Sequence, residues 1–193
     1  LLLLTLAAAF VFVILAGSGS STASGRVGGD FPAFYGAGTI VNDGAIDDLY
    51  DLEVQAAAQA DLLGDEEGFI MYPYAPHVAA AYSPLAELPY RLAYVLHTAL
   101  MVGLLIGSLT VLRPVIGVLD RWFAPTLAAV LTAYPVFVGV GGGQNTALSL
   151  FLIAATWRAW HDDRDGLAGV LLAVLLFRPQ YALPLLGLSL IHI

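Results

Sequence analysis

Residues 92–112 read LAYVLHTALMVGLLIGSLTVL, and this apolar run indicates the class of protein. It contains 21 residues without a charge and lies between Arg91 and Arg113. About 20 apolar residues are needed to cross the ~30 Å hydrocarbon core of a bilayer. The sequence therefore predicts a transmembrane helix at residues 90–112.

The composition of the whole chain agrees with a membrane protein. Of 193 residues, 59% are hydrophobic and 11% are charged, against roughly 25% charged residues in ordinary soluble domains. Cysteine is absent, which excludes disulfides, thiolate metal sites and cysteine nucleophiles. Seven arginines and lysines against 15 acidic residues argue against a nucleic-acid partner, because phosphate binding needs clustered cations.

Further apolar runs extend this prediction to an all-α, polytopic transmembrane protein with a single membrane domain over residues 1–193, truncated at both ends. A signal peptide is the alternative for the run at residues 1–16. The runs at 167–177 and 181–193 are either two short spans or one broken membrane unit. The additional predicted spans are residues 1–16, 122–140 and 144–160, with short or incomplete segments at 167–177 and 181–193.

Arginine placement predicts which way the spans face. Arg113 and Arg121 flank one short connector, and Arg158 and Arg164 lie in or beside the next connector on the same side. Short loops rich in Lys and Arg stay in the cytoplasm. The long segment 17–88 is then extracytoplasmic, together with the glycine-rich turn before Asn145 and the Arg178-Pro179 break.

The segment 17–88 carries eleven acidic residues against one arginine. At 72 residues it is too long for a plain loop. Asp30 followed by Pro32 indicates a helix start, and the apolar spacing after Asp48 predicts a second helix. Both are expected to be short interfacial helices that lie against the bilayer.

The order of six short motifs resembles glycosyltransferase family 87, whose members are membrane enzymes of the GT-C type. The resemblance covers essentially the whole chain, which corresponds to about the N-terminal half of a family member. The motifs are Asp30-Phe31-x-x-Phe34-Tyr35, Leu49-Tyr50-Asp51, Phe69-x-x-Tyr72-Pro73-x-x-Pro76, Ser83-Pro84-Leu85-Ala86-x-Leu88-Pro89, Gly143-Gln144-Asn145 and Arg178-Pro179.

The resemblance implies a GT-C-like fold and a transfer reaction on the extracytoplasmic face of the cell membrane. A sugar, expected to be mannose, would pass with inversion from a polyprenyl-phosphate donor to a hydroxyl of a lipid or glycan acceptor. It implies no cofactor, and no metal ligands are assigned. The chemistry needs a carboxylate that accepts the hydroxyl proton and cationic or N–H partners for the leaving phosphate.

The resemblance assigns Asp30 as the catalytic base, since it is the first acid after the first span; the alternative is an ordinary N-cap. Arg178 is the expected phosphate ligand, or else an arginine that reaches to the interface. Each of the other candidates also has a structural alternative, such as helix capping or interface anchoring. The expected substrate-binding residues are Tyr35, Asp51, Tyr72, His77, Gln144, Asn145 and Arg178.

Two rival classes remain open at this stage. A transporter or channel subunit would line its pathway with polar groups and broken helices in mid-membrane. A polytopic membrane protein without catalytic activity is the other. The sparse charges within the spans and the long acidic, aromatic segment favour the transferase.

Overall fold

The computed structural model describes residues 28–63 and 69–192, and all regular structure in these ranges is helical. The predicted span at residues 1–16 and residues 17–27 of the acidic segment lie outside them. The all-α prediction is confirmed for the described part. A short 3-10 turn, Ile46–Asp48, accompanies these helices: α1 (Phe31–Asn42), α2 (Leu52–Leu63), α3 (Pro76–Ala86), α4 (Tyr90–Leu112), α5 (Gly117–Arg121), α6 (Phe123–Thr132), α7 (Tyr134–Gly141), α8 (Thr146–His161), α9 (Asp165–Leu175) and α10 (Pro179–His192).

Within the described residues, α4 is long and apolar enough to cross a membrane. Its bounds are those of the predicted span. A second crossing is possible if α6 and α7 together form one broken span.

The predicted span 122–140 is divided into α6 and α7, which are bent by 61° against each other. Pro135 lies in the first turn of α7 and has no N–H to donate to the preceding turn. Ala133, between the helices, is extended with ψ at 129°. The proline therefore accounts for the break.

The chain divides into two compact units. In the described residues, the first contains α1 to α3, α4 as far as Ala99, and residues 137–144. The second contains residues 100–136 and the chain from Asn145 onward.

In the first unit, α1 packs between α2 and α3. Eight of its 12 residues are buried, so most of its surface is not available to a bilayer. The Phe34 ring stacks on Tyr82, with 4.7 Å between ring centroids. Gly38 permits the close approach of α3, since a Cβ there would lie 2.8 Å from the Tyr82 carbonyl oxygen.

No helix was predicted at the position of α3, which contains two prolines. The structure accommodates both of them. Pro76 begins the helix, a position where its missing N–H costs nothing. Pro84 lies inside the helix and cannot bond to the carbonyl of Ala80. The Ser83 hydroxyl donates to that carbonyl instead, at 3.0 Å.

In the second unit, α8 packs against α9, and α9 packs against α10. The Nε of Arg158 donates to Asp162 Oδ2 at 2.8 Å at the end of α8. This hydrogen bond lowers the pKa of the Asp162 carboxyl. Large apolar side chains, among them Val170 and Val174 of α9, remain exposed on this unit.

Candidate active site

Asp30 lies directly before α1, at the predicted helix start, but its carboxylate does not cap the helix. Its Oδ2 accepts a hydrogen bond of 3.0 Å from Gln144 Nε2, across 114 positions of sequence. The side chain of Asp30 is exposed. The carboxylate is thus held from one side and open to solvent, a suitable arrangement for a proton acceptor.

A glycine-rich turn, residues 141–144, brings Gln144 to Asp30. The Asp30 N–H donates to the Gly142 carbonyl at 2.8 Å. A Cβ on Gly29 would lie 2.8 Å from the same carbonyl oxygen. Gly143 has φ at +66°, and a side chain there would overlap Phe31. Only glycines permit the two backbones to approach this closely.

An aromatic cluster lies under this turn, on the side of α1 that faces the core. Phe31 contacts His97 with 5.0 Å between ring centroids. His97 is 1% exposed, and its Nδ1 lies 3.4 Å from the Tyr82 hydroxyl. The Tyr94 hydroxyl donates to the Gly141 carbonyl at 2.6 Å. The residues behind Asp30 are therefore closely packed.

Two further predicted site residues, Asp51 and Tyr72, have structural partners in the first unit. Asp51 Oδ1 accepts from the N–H groups of Glu53 and Val54, which makes Asp51 the N-cap of α2. Tyr72 is 1% exposed and donates to the Ala75 carbonyl at 3.2 Å. Burial raises the pKa of the Tyr72 hydroxyl, so it stays protonated.

Tyr35 and His77 are nearer to the surface. The hydroxyl of half-buried Tyr35 donates to the Leu88 carbonyl at 2.8 Å. Burial raises the pKa of this hydroxyl as well. His77 is exposed in the first turn of α3. Within the described residues, neither Tyr35 nor His77 hydrogen-bonds to Asp30.

In the second unit, the structure brings Asn145 and Arg178 together. Arg178 Nη2 donates to Asn145 Oδ1 at 2.5 Å. Asn145 is 1% exposed and makes no side-chain capping bond to α8. Arg178 directly precedes α10. The pair thus joins the N-termini of two helices, which carry partial positive charge and attract anions.

Some contributors were missed at the sequence level. Tyr94 was hidden within an apolar span, although a tyrosine there needs a partner for its hydroxyl. Gln55 and Gln59 lie one turn apart on α2 and are both buried. Their spacing in an alanine-rich helix was the available signal. All three bind backbone groups and so shape the site indirectly.

The described fold defines an all-helical protein with at least one helix suited to a membrane and with separate carboxylate–amide and arginine–asparagine pairs. The family model for glycosyltransferase family 87 matches residues 72–192. The chain therefore belongs to glycosyltransferase family 87, a family of membrane-associated proteins. This confirms the resemblance found in the motifs.

The match includes Gln144, Asn145 and Arg178, whereas Asp30 precedes it. Comparisons with curated proteins and with solved structures gave no match. Membership of this family implies that the protein is a glycosyltransferase, and it does not favour the transporter alternative.

Proposed function

We propose that this chain is part of a polytopic GT-C-type membrane enzyme that transfers a hexosyl group, mannose in the first instance. The donor is a polyprenyl-phosphate sugar, and the acceptor is a hydroxyl of a lipid or glycan. Transfer occurs with inversion on the extracytoplasmic face of the cell membrane. Family membership supports the sugar transfer itself.

The single observation that carries the mechanism is the hydrogen bond between Gln144 and Asp30. The carboxylate is exposed and is held at Oδ2 by one neutral donor, which leaves Oδ1 open to accept a proton. Asp30 takes the proton of the acceptor hydroxyl while that oxygen bonds to the sugar's anomeric carbon. The bond from this carbon to the phosphate oxygen breaks, and its electron pair remains on the lipid phosphate.

The leaving phosphate gains negative charge and needs positive partners. Arg178 is proposed for this role. Its Nη2 is already held by Asn145, at the N-termini of α8 and α10. A guanidinium can make a bidentate contact with phosphate, to which helix N–H groups add.

The remaining proposed substrate contacts differ in how available they are. His77 is exposed and free to meet a sugar hydroxyl. Tyr35, Asp51 and Tyr72 also bond to the protein's own backbone. Their contribution to substrate binding would therefore come mainly through the shape of the first unit.

Replacing Asp30 with Asn tests the proposed base. Asparagine has the size of aspartate and still accepts a hydrogen bond from Gln144, but it cannot take a proton. In the full-length enzyme, Asp30→Asn should lower kcat by roughly 10²- to 10⁴-fold, the usual loss when a positioned base is removed. Transfer from a radiolabelled polyprenyl-phosphate mannose to an acceptor lipid measures this.

Asp43→Asn is the matched control, because Asp43 is exposed at the opposite end of α1. It should retain normal turnover. Near-normal turnover in Asp30→Asn would contradict the assignment of the base. Membrane accumulation of each variant shows whether the protein has folded.

A further inference from the structure

The turn at residues 141–144 binds Asp30 at two separate points. The Gly142 carbonyl accepts the backbone N–H of Asp30 at 2.8 Å. Gln144 Nε2 donates to the carboxylate Oδ2 at 3.0 Å. Main chain and side chain of one residue are thus both held by the same four-residue turn.

The turn itself is fixed to α7 and α4. The N–H of Gly142 donates to the Val138 carbonyl at 2.7 Å, and the N–H of Gln144 donates to the Gly139 carbonyl at 3.0 Å. From α4, the fully buried Tyr94 donates its hydroxyl to the Gly141 carbonyl at 2.6 Å. A displacement of the turn would break these bonds together.

We propose that this turn is the positioning element for the carboxylate of Asp30, with Gln144 and Tyr94 as its positioning residues. The inference rests on the proposed function, in which Asp30 is the base. Gln144 occupies Oδ2 and thereby leaves Oδ1 to receive the proton of the acceptor hydroxyl. This changes the role of Gln144 from the substrate contact that the sequence suggested.

The chemistry of the amide suits this role. A neutral N–H donor fixes the plane of the carboxylate through a charge-assisted hydrogen bond. An arginine or lysine at the same place would add a full positive charge that competes for the carboxylate. Orientation is thus obtained while the group keeps its negative charge for proton acceptance.

Two single variants of the full-length enzyme test the inference. Gln144→Leu removes the donor and should lower kcat by roughly 10- to 100-fold, a loss typical of misplaced reacting groups. Tyr94→Phe removes the hydroxyl that donates to the Gly141 carbonyl, and kcat should fall by roughly three- to tenfold. KM for the polyprenyl-phosphate mannose donor and for the acceptor lipid should change less than twofold in each variant, as a roughly constant KM indicates intact binding.

Tyr50→Phe is the matched control for Tyr94→Phe. Tyr50 also donates its hydroxyl to a backbone carbonyl of the first unit, that of Tyr74, at 2.9 Å. The kcat of Tyr50→Phe should equal that of the unaltered enzyme. A rise in KM for Gln144→Leu with unchanged kcat would overturn the inference and return Gln144 to the substrate contacts.

A double variant separates positioning from a general structural effect. If Gln144 acts through Asp30, adding Gln144→Leu to Asp30→Asn should cost no further turnover. A full additional loss in the double variant would overturn the inference. Loss of activity in Asp30→Asn with normal kcat in Gln144→Leu would overturn the inference alone, whereas normal kcat in Asp30→Asn would overturn the proposed function.

Discussion

Asp30 and Asp51 both stand immediately before a helix, yet their carboxylates have different partners. Asp51 Oδ1 accepts from the N–H groups of the second and third residues of α2. At α1, the second residue is Pro32, which has no N–H, and the third donates to the Asp30 backbone carbonyl at 3.2 Å. Pro32 therefore removes one of the N–H donors that a capping Asp30 side chain would use. The carboxylate of Asp30 accepts a hydrogen bond from Gln144 instead.

The sequence identified residues of the candidate site but not their partners. Asp30, Gln144, Asn145 and Arg178 were all selected from the motifs, and the structure joins them in two pairs. Neither pairing was predicted, because 114 and 33 positions separate the partners. Contacts at such separations depend on tertiary packing, which local spacing does not report.

Arg178 provides a prediction about the donor. Arg178→Gln removes the charge, and a hydrogen bond to a charged group contributes roughly 1.5–3 kcal/mol. We therefore expect kcat/KM for polyprenyl-phosphate mannose to fall by roughly 10- to 100-fold. Arg178→Lys should lose less, because a point charge still attracts phosphate but cannot bind it in two places.

Arg164→Gln is the control for Arg178→Gln, since Arg164 is exposed in the connector before α9. It removes the same charge and should leave donor use unchanged. Equal donor kinetics in Arg178→Gln and the unaltered enzyme would show that Arg178 is an interface anchor rather than a phosphate ligand.

At the scale of elements, α2 holds the extended segment before α3 through a glutamine clip, formed by Gln55 and Gln59. Gln55 donates to the Leu49 carbonyl at 2.8 Å and accepts from the Tyr72 N–H at 2.9 Å. Gln59 binds both the N–H and the carbonyl of Ile70. Each amide thus satisfies backbone groups that no neighbouring strand or helix pairs.

The helix start at Asp30 could be predicted from the capping residue type and Pro32, because these are local signals. The second helix was predicted to follow Asp48, whereas residues 46–48 form a 3-10 turn and α2 begins at Leu52 after the cap Asp51. The glutamine clip was not predicted: the four-residue spacing of Gln55 and Gln59 was a signal, but glutamine in a helix is usually a solvated residue. The break between α6 and α7 was also missed. There, apolar composition indicated one span, whereas Pro135 determines the backbone geometry.

Gln55→Leu tests the clip. The substitution leaves the Leu49 carbonyl and the Tyr72 N–H without their partner, and both residues are buried. An unsatisfied buried polar group costs about 1–3 kcal/mol, so the midpoint of thermal unfolding in detergent should fall clearly. Gln180→Leu, the same change at an exposed position of α10, should leave the midpoint nearly unchanged. Equal midpoints for the two variants would mean that the clip adds nothing to stability.

At the scale of the whole molecule, the distribution of charge sets the expected orientation. The acidic residues lie mostly before α4, whereas four arginines occur in or beside the connectors 113–121 and 158–164. Two of these arginines are paired: Arg113 with Asp120 at 2.6 Å, and Arg158 with Asp162 at 2.8 Å. Orientation by arginine counts basic residues and not net charge, so these pairs do not weaken the prediction.

The orientation can be tested with single cysteines, since the 193 residues contain none. Asp47→Cys should react with a membrane-impermeant thiol reagent added to intact cells, because Asp47 is exposed in the predicted extracytoplasmic segment. Gly117→Cys and Gly166→Cys should not react, because both lie in predicted cytoplasmic connectors or beside them. Neither cysteine would meet a steric obstacle, since a Cβ at either glycine has no neighbour within 4 Å among the described residues.

After permeabilisation of the membrane, all three cysteines should react, which establishes that each is accessible. Reaction of Gly117→Cys and Gly166→Cys in intact cells, with Asp47→Cys protected, would reverse the predicted orientation. A reversal would place Asp30 on the cytoplasmic face, where a lipid-linked donor presented on the outer leaflet could not reach it. The labelling experiment therefore tests both the topology and the proposed extracytoplasmic location of sugar transfer.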